Sequence, residues 1–494
     1  MRMFPSRRIG ALVLLAAAVV LAPSCRPPPE GAANVVVIGG EPELVDPASG
    51  PLSTPDAVLL QNVAQGLVRF DASGNIVNGL AERWNVSDDG LSYIFRLASM
   101  EWPDGTKITA QQVARLLKRQ LGRRSKNALK DTLGAVDDIV AMTDRVLEIR
   151  LIAARPNLLP LLAQPELAIL RDSQGTGPFS AVGPGGQVSQ IRLMSEVIST
   201  SEEVTRREEV LLSGAPPEQA VRAFADGKAH LVLGGTFADL PYARAVRLPR
   251  GSVRFDPASG LFGLVPTTAD GPLADREIRQ LLSQSIDRDT LIAALNVPGL
   301  AARATVLEPG LDGMPAPIQP AWFGTPLAER RGALLATAQR LSEGDERPTI
   351  RIFLPAGPGS DMLLNRLAAD WGAIGFTVER AKTLAAADLR LFDALAPSAS
   401  AAWFLRNFHC GAVPLCEPQV DELLDAARIA QVPPQRYALL YDAALQIDDL
   451  QLFIPLGAPV RWSLVASRIQ GFAGNRYARH TLTDLQQNPS REDR

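Results

Sequence analysis

The chain has 494 residues, with 50 Lys+Arg against 53 Asp+Glu, three histidines and a formal net charge of −3. That balance argues against nucleic acid as a partner, because binding a phosphate backbone requires a concentrated basic surface. A hydrophobic share of 46% with 21% charged residues suits a globular protein, and the length allows about three domains at roughly 150 residues each.

Arg2, Arg7 and Arg8 precede an apolar run from Ile9 to Ala22, which ends in Pro23-Ser24-Cys25. A basic start, a short apolar stretch and small residues at its end are the pattern of a signal peptide over residues 1–24. The run falls short of the roughly 20 residues that a permanent membrane span requires. Cleavage before Cys25 would expose its thiol for acylation, although Cys25 can also be read as an ordinary residue beside the cleavage site. Arg26 to Gly31 contains three consecutive prolines, so residues 25–33 are expected to form an extended tether.

Val35 to Ile38 followed by Gly39-Gly40 predicts a buried strand ending in a turn. Leu59, Leu60, Val63 and Leu67 give helical spacing to Asp56–Leu67, whereas alternation at Tyr93, Phe95 and Leu97 predicts a strand. Pro103-Asp104-Gly105 turns the chain into a helix whose Thr109 and Gln112 have capping-box spacing. Val146–Ile152 is a further strand candidate. Asp275 and Asp287 are placed to cap two successive helices carrying Leu281, Leu282, Leu291 and Leu295. Leu363, Leu364, Leu367 and Trp371 share a helical face that Gly372 and Gly375 interrupt before strand-like Phe376-Thr377-Val378. Val420–Ala427 and Tyr437–Ala444 repeat the helical spacing. Helices and strands intermix without a short repeat, which implies a multidomain α/β chain.

Chemistry-bearing motifs are scarce. The sequence has no Gly-x-Ser-x-Gly elbow, no His-Glu-x-x-His and no phosphate loop ending in Gly-Lys-Ser/Thr. Asp88-Asp89 and Asp137-Asp138 are adjacent acids whose side chains diverge on a helix or a strand, so they read as solvated pairs. His230, His409 and His480 are too few and too scattered for a zinc-like set, and neither a metal nor a cofactor is expected. A binding protein is expected, with no catalytic residues. Beyond Cys25, the cysteines are Cys410 and Cys416, which in an oxidising envelope are expected to form a disulfide, free thiols being the alternative.

Five blocks between Gly66 and Thr106 carry a resemblance: Gly66-Leu67-Val68-Arg69-Phe70, Gly79 to Trp84, Ser87-Asp88-Asp89-Gly90, Tyr93 to Leu97, and Trp102 to Thr106. With Glu41 to Pro47, Gly175 to Phe179, Asp275 to Ile292 and Glu417 to Phe472, they resemble the extracytoplasmic solute-binding proteins of family 5. These serve dipeptide and oligopeptide importers. The resemblance implies a periplasmic-binding-protein type II fold of class α/β, with two main lobes, a hinge and an extra domain. It implies domain I from 34–52, 175–260 and 455–494, domain II over 53–174 and domain III over 261–454, with ligand between the first and third lobes. Cys25 would then resemble a lipobox cysteine, though Ala22 and Pro23 depart from that pattern. Cys410 and Cys416 would match the paired cysteines of the dipeptide-binding branch.

The peptide-binding pattern fails between Leu391 and Trp403, where the family's Trp and acidic pair are missing. Its ammonium-binding aspartate falls at Ala396. Asp393 could take that role through a shift of register or could be a strand-end residue, and the latter is favoured. Trp403 and Arg406 are the other, weaker ligand-binding candidates, with packing and solvated surface respectively as the favoured readings. The expected function is a monomeric, lipid-anchored protein of the periplasm or cell envelope. It would capture a peptide-like or other small solute by hinge closure and deliver it to the permease of an ABC importer. The alternative is a family-derived envelope lipoprotein that has lost transport and acts through protein contacts. An envelope hydrolase has no motif behind it.

Overall fold

A computed structural model describes residues 31–182, 190–198, 205–341, 348–483 and 485–487. The leader and Cys25 lie outside the described residues, as does the tether up to Glu30. Three sheets organise the chain. The first has seven strands, in the order Val253–Phe255, Arg461–Val465, Leu231–Thr236, Ala33–Ile38, Thr205–Ala215, Ile191–Ile198 and Ser180–Val182. At its centre Ala33–Ile38 runs parallel to both neighbours, and the apolar side chains of Val35 and Val37 are fully buried. A strand covered on both faces reads as a continuous apolar run, which is why this one is legible.

The second sheet has four antiparallel strands, Ala81–Val86, Ser92–Leu97, Val146–Leu151 and Val136–Thr143. Tyr93, Phe95 and Leu97 point inward from it and meet Trp102 and the Val113 and Leu117 face of the helix Ala110–Leu121. That helix starts as the spacing predicts. Thr109 accepts from the Gln112 amide, and Gln112 accepts in return from the Thr109 amide. Each bond satisfies a backbone donor that the first helical turn leaves unpaired.

The third sheet has five strands, in the order Thr377–Arg380, Thr349–Phe353, Leu389–Leu395, Gly260–Pro266 and Ile454–Gly457. The last strand keeps the chain on this sheet to Gly457. Around the sheet pack the capped helices Arg276–Ser285 and Arg288–Leu295, with Asp275 and Asp287 as their caps. Pro358–Gly372, Pro418–Ile429 and Pro433–Asp449 complete the helical cover.

The chain passes between the first and third sheets twice, through 256–259 and through 458–460. The Asp256 amide donates to the Arg461 carbonyl at 3.0 Å, so the two crossings lie side by side. One apolar core runs across the junction: Phe237 of the first lobe meets Phe262 of the third edge-on at 4.9 Å, beside buried Trp462.

The helix expected over 56–67 occupies Thr54–Val63 instead. Tertiary contacts claim its end. Gly177 donates to the Val63 carbonyl and Phe179 to the Asn62 carbonyl, both at 2.9 Å. Gly66 lies so close to the neighbouring backbone that a Cβ there would sit 2.5 Å from the Leu162 carbonyl oxygen. Local apolar spacing cannot register either demand.

Candidate functional site

A cavity of about 230 Å³ lies between the second unit and the third lobe. Arg155 to Leu158 and Leu161 follow the last strand of the four-stranded sheet and form one wall. Asp312, the helix Ala401–Arg406 and Arg436 form the other. The seven-stranded sheet contributes no lining residue. The resemblance implies ligand between the first and third lobes, where a shared apolar core and an ion pair join the two and a cavity of about 260 Å³ is lined by both crossings.

That ion pair is Asp393–Arg461. Arg461 Nη1 donates to both carboxylate oxygens of Asp393, at 2.8 and 3.0 Å, with each side chain 14% exposed. Burial pushes the Asp393 carboxyl above the usual carboxylate range, and Arg461 opposes the shift. Asp393 sits on Leu389–Leu395 of the third lobe and Arg461 on Arg461–Val465 of the first, so the pair ties the two lobes together. Ala396, near which the resemblance places the ammonium-binding position, is buried, and its amide donates to the Ser259 carbonyl at 2.9 Å. It offers no charge to a ligand.

Trp403 and Arg406 both line the cavity, and Asp393 does not. The short helix carrying them directs Phe404 and Leu405 into the core and leaves Trp403 and Arg406 half-buried at the cavity wall. Trp403 packs edge-on against Phe404 at 5.1 Å. Cys410 and Cys416 are disulfide-bonded, which closes a loop that follows His409 and contains Ala412, both of which line the cavity. Among the described residues no group of three His, Cys, Asp or Glu could hold a metal ion, and no helix is long and apolar enough to cross a membrane.

Among the cavity residues not foreseen from sequence are Arg155, Asp312 and Arg436. Asp312 accepts from Asn157 Nδ2 at 2.7 Å and from the Ala401 amide at 2.8 Å, while its own amide donates to the Ala399 carbonyl at 2.9 Å. It therefore clasps the second unit to the altered 399–401 stretch. Asp312-Gly313 is a turn dipeptide, and Asp312 adopts a left-handed φ of 50°, but that local signal says only that the chain turns. Arg155 is drawn down to about 10 by burial and by the Arg436 and Arg428 guanidiniums, with Asp312 opposing. It remains a cation at neutral pH. Arg479 donates to Glu166 at 2.7 Å and Gln164 Nε2 to the Pro397 carbonyl at 2.9 Å, fixing the second unit to its neighbours.

Residues 75–187 match the family model described as bacterial extracellular solute-binding proteins, family 5 Middle. The chain is 24% identical over 282 residues to the periplasmic murein peptide-binding protein MppA of Escherichia coli, a match that spans about half of each chain (51% and 52%). It is 24% identical over 534 residues to the probable di/tripeptide-binding protein 5 of Pseudomonas aeruginosa, covering 95% of this chain and 98% of that protein. The structure of Haemophilus influenzae OppA in complex with RPPGFSPFR superposes with a TM-score of 0.78 at 16% identity, covering 92% of this chain and 99% of that one. The architecture is the periplasmic-binding-protein type II fold.

Proposed function

We propose that this chain, whose residues 75–187 match the family 5 model and whose architecture is the periplasmic-binding-protein type II fold, captures a peptide-like or other small solute outside the cytoplasm. It hands that solute to the permease of an ABC importer. The observation that carries the reading is the 230 Å³ cavity set between separately built units, the place where closure of one unit on another can enclose a ligand. Closure stabilises the bound state only to the extent that the ligand prefers the closed form. The reading includes export to the periplasm or envelope, a monomeric state, acylation of Cys25 and no enzymatic step, with Trp403 and Arg406 as ligand contacts. Incorporation of an alkyne-labelled fatty acid into the wild type but not into Cys25→Ser tests the acylation.

The names of the relatives support a peptide-like ligand. Burial of Ala396 and engagement of Asp393 by Arg461 speak against recognition of a free amine in the manner of peptide binders. They favour a solute held by other groups, or an envelope protein that no longer transports. A thermal-shift screen of peptides, organic acids, sugars and their phosphates on ligand-stripped protein separates these. A solute at 100 times its dissociation constant stabilises the native state by roughly 3 kcal/mol, which a melting curve registers readily. A screen in which no compound raises Tm would sink the transport reading and leave the non-transporting one.

A further inference from the structure

At the junction of the second unit and the third lobe four arginines, Arg155, Arg406, Arg428 and Arg436, line two adjoining cavities whose lining acids among the described residues are Asp131 and Asp312. Arg436, on the helix Pro433–Asp449, is 5% exposed, yet its guanidinium forms no hydrogen bond among the described residues. Its nearest acid is Asp312, whose Oδ2 lies 3.8 Å from Nη2. Both oxygens of that carboxylate are already taken by Asn157 and by the Ala401 amide. Arg155 spends its donors on two carbonyls, Ala154 at 2.8 Å and Arg428 at 2.5 Å, and has no carboxylate partner among the described residues. Arg406 reaches Asp425 only at 3.8 Å. Asp131 stands exposed at the rim, and Arg428 lines the adjoining smaller cavity.

Arg155, Arg406 and Arg436 line both of these cavities, and Arg155 and Arg436 also line a third, to which Asp88 and Asp89 contribute. Two guanidiniums therefore stand where three cavities meet. A guanidinium has five N–H donors, and leaving them unfilled away from water is costly. Its planar fork matches the two oxygens of a carboxylate or phosphate. Much of the remaining wall is apolar, with Leu133, Leu151, Leu158 and Trp403.

We propose that this cavity is an oxyanion site, in which Arg436, with Arg155 and Arg406, holds a carboxylate or phosphate of the solute while Trp403 covers its apolar part. The proposal rests on the solute-binding reading above and names the class of solute it selects.

The test is calorimetric titration of the ligand-stripped mature chain at constant ionic strength. The probes are inorganic phosphate, 3-phenylpropionate and 3-phenylpropionamide. Phosphate or phenylpropionate is expected to bind while the amide does not. Binding by phosphate alone assigns a phosphate group, and binding by phenylpropionate assigns a carboxylate. Arg436→Met and Arg406→Gln are each expected to weaken that binding at least tenfold. Arg406 is a half-buried surface side chain, so Arg406→Gln keeps the test decisive if Arg436→Met fails to fold. Equal binding of acid and amide, undiminished binding in a folded variant, or no binding of either anion overturns the oxyanion site. If the broad screen still yields a neutral solute, only the oxyanion site has failed; if it yields none, solute binding itself has failed.

Discussion

Asp448, half-buried on the helix Pro433–Asp449, accepts a hydrogen bond from the Val306 amide at 2.8 Å. Loss of hydration outweighs that bond and pushes its carboxyl up to about 8. Between its ordinary value near 4 and about 8, the folded chain therefore keeps a proton that the unfolded chain releases. Stability falls as pH rises through that window, because the native state binds more protons. Asp448→Asn preserves the acceptor for Val306 and removes the ionisation. Denaturant unfolding should show the variant gaining on the wild type from pH 5 to pH 8, by a few kcal/mol at the upper end (about 1.4 kcal/mol per pH unit). A constant difference across that range would show that the carboxyl ionises normally in the fold. Asp393 differs in having Arg461 beside its carboxylate, in an ion pair that joins two lobes.

Capped helices and alternating strands were legible in sequence because their determinants lie within a few residues of one another. Thr109 with Gln112, Asp275 before Glu277 and Asp287 before Thr290 each act inside one helical turn. The helix Thr54–Val63 was misjudged at its end because Gly177 and Phe179, distant in sequence, take its carbonyls. Trp403 and Arg406 could be proposed as cavity residues from family order. Arg155, Asp312 and Arg436 could not, since only folding brings them to one cavity and each alone reads as a surface charge. Close approach makes a similar non-local demand at Gly235, opposite Trp462 across a β-bulge. A Cβ there would lie 2.2 Å from the indole, whose Nε1 donates to the Thr236 carbonyl at 2.7 Å. Gly235→Ala should cost 1–3 kcal/mol or more through overpacking. Thr109→Ala, which removes one cap, should cost about 1 kcal/mol. Equal losses in chemical denaturation would contradict the packing at Gly235.

The whole molecule is tied together by segments far apart in the chain. After the second crossing, Asn475 to Leu482 returns across the second unit. Tyr477 stacks on Phe70 at 4.5 Å, Arg479 pairs with Glu166, and the Leu482 amide donates to Asn62 Oδ1. Asp312, Asn157 and Gln164 then hold the third lobe to that same unit. The cavity is bounded by elements anchored in this way, and the cations facing it sit on the scaffold rather than on a free loop. Such an arrangement is suited to selecting a solute by its charge and shape. The most direct check is native mass spectrometry of the chain purified from its own envelope under non-denaturing conditions. A small-molecule adduct that leaves on denaturation, and is missing from Arg406→Gln, is the predicted spectrum. An adduct that Arg406→Gln retains in full, or the bare polypeptide mass in the wild type, would contradict solute capture at this cavity.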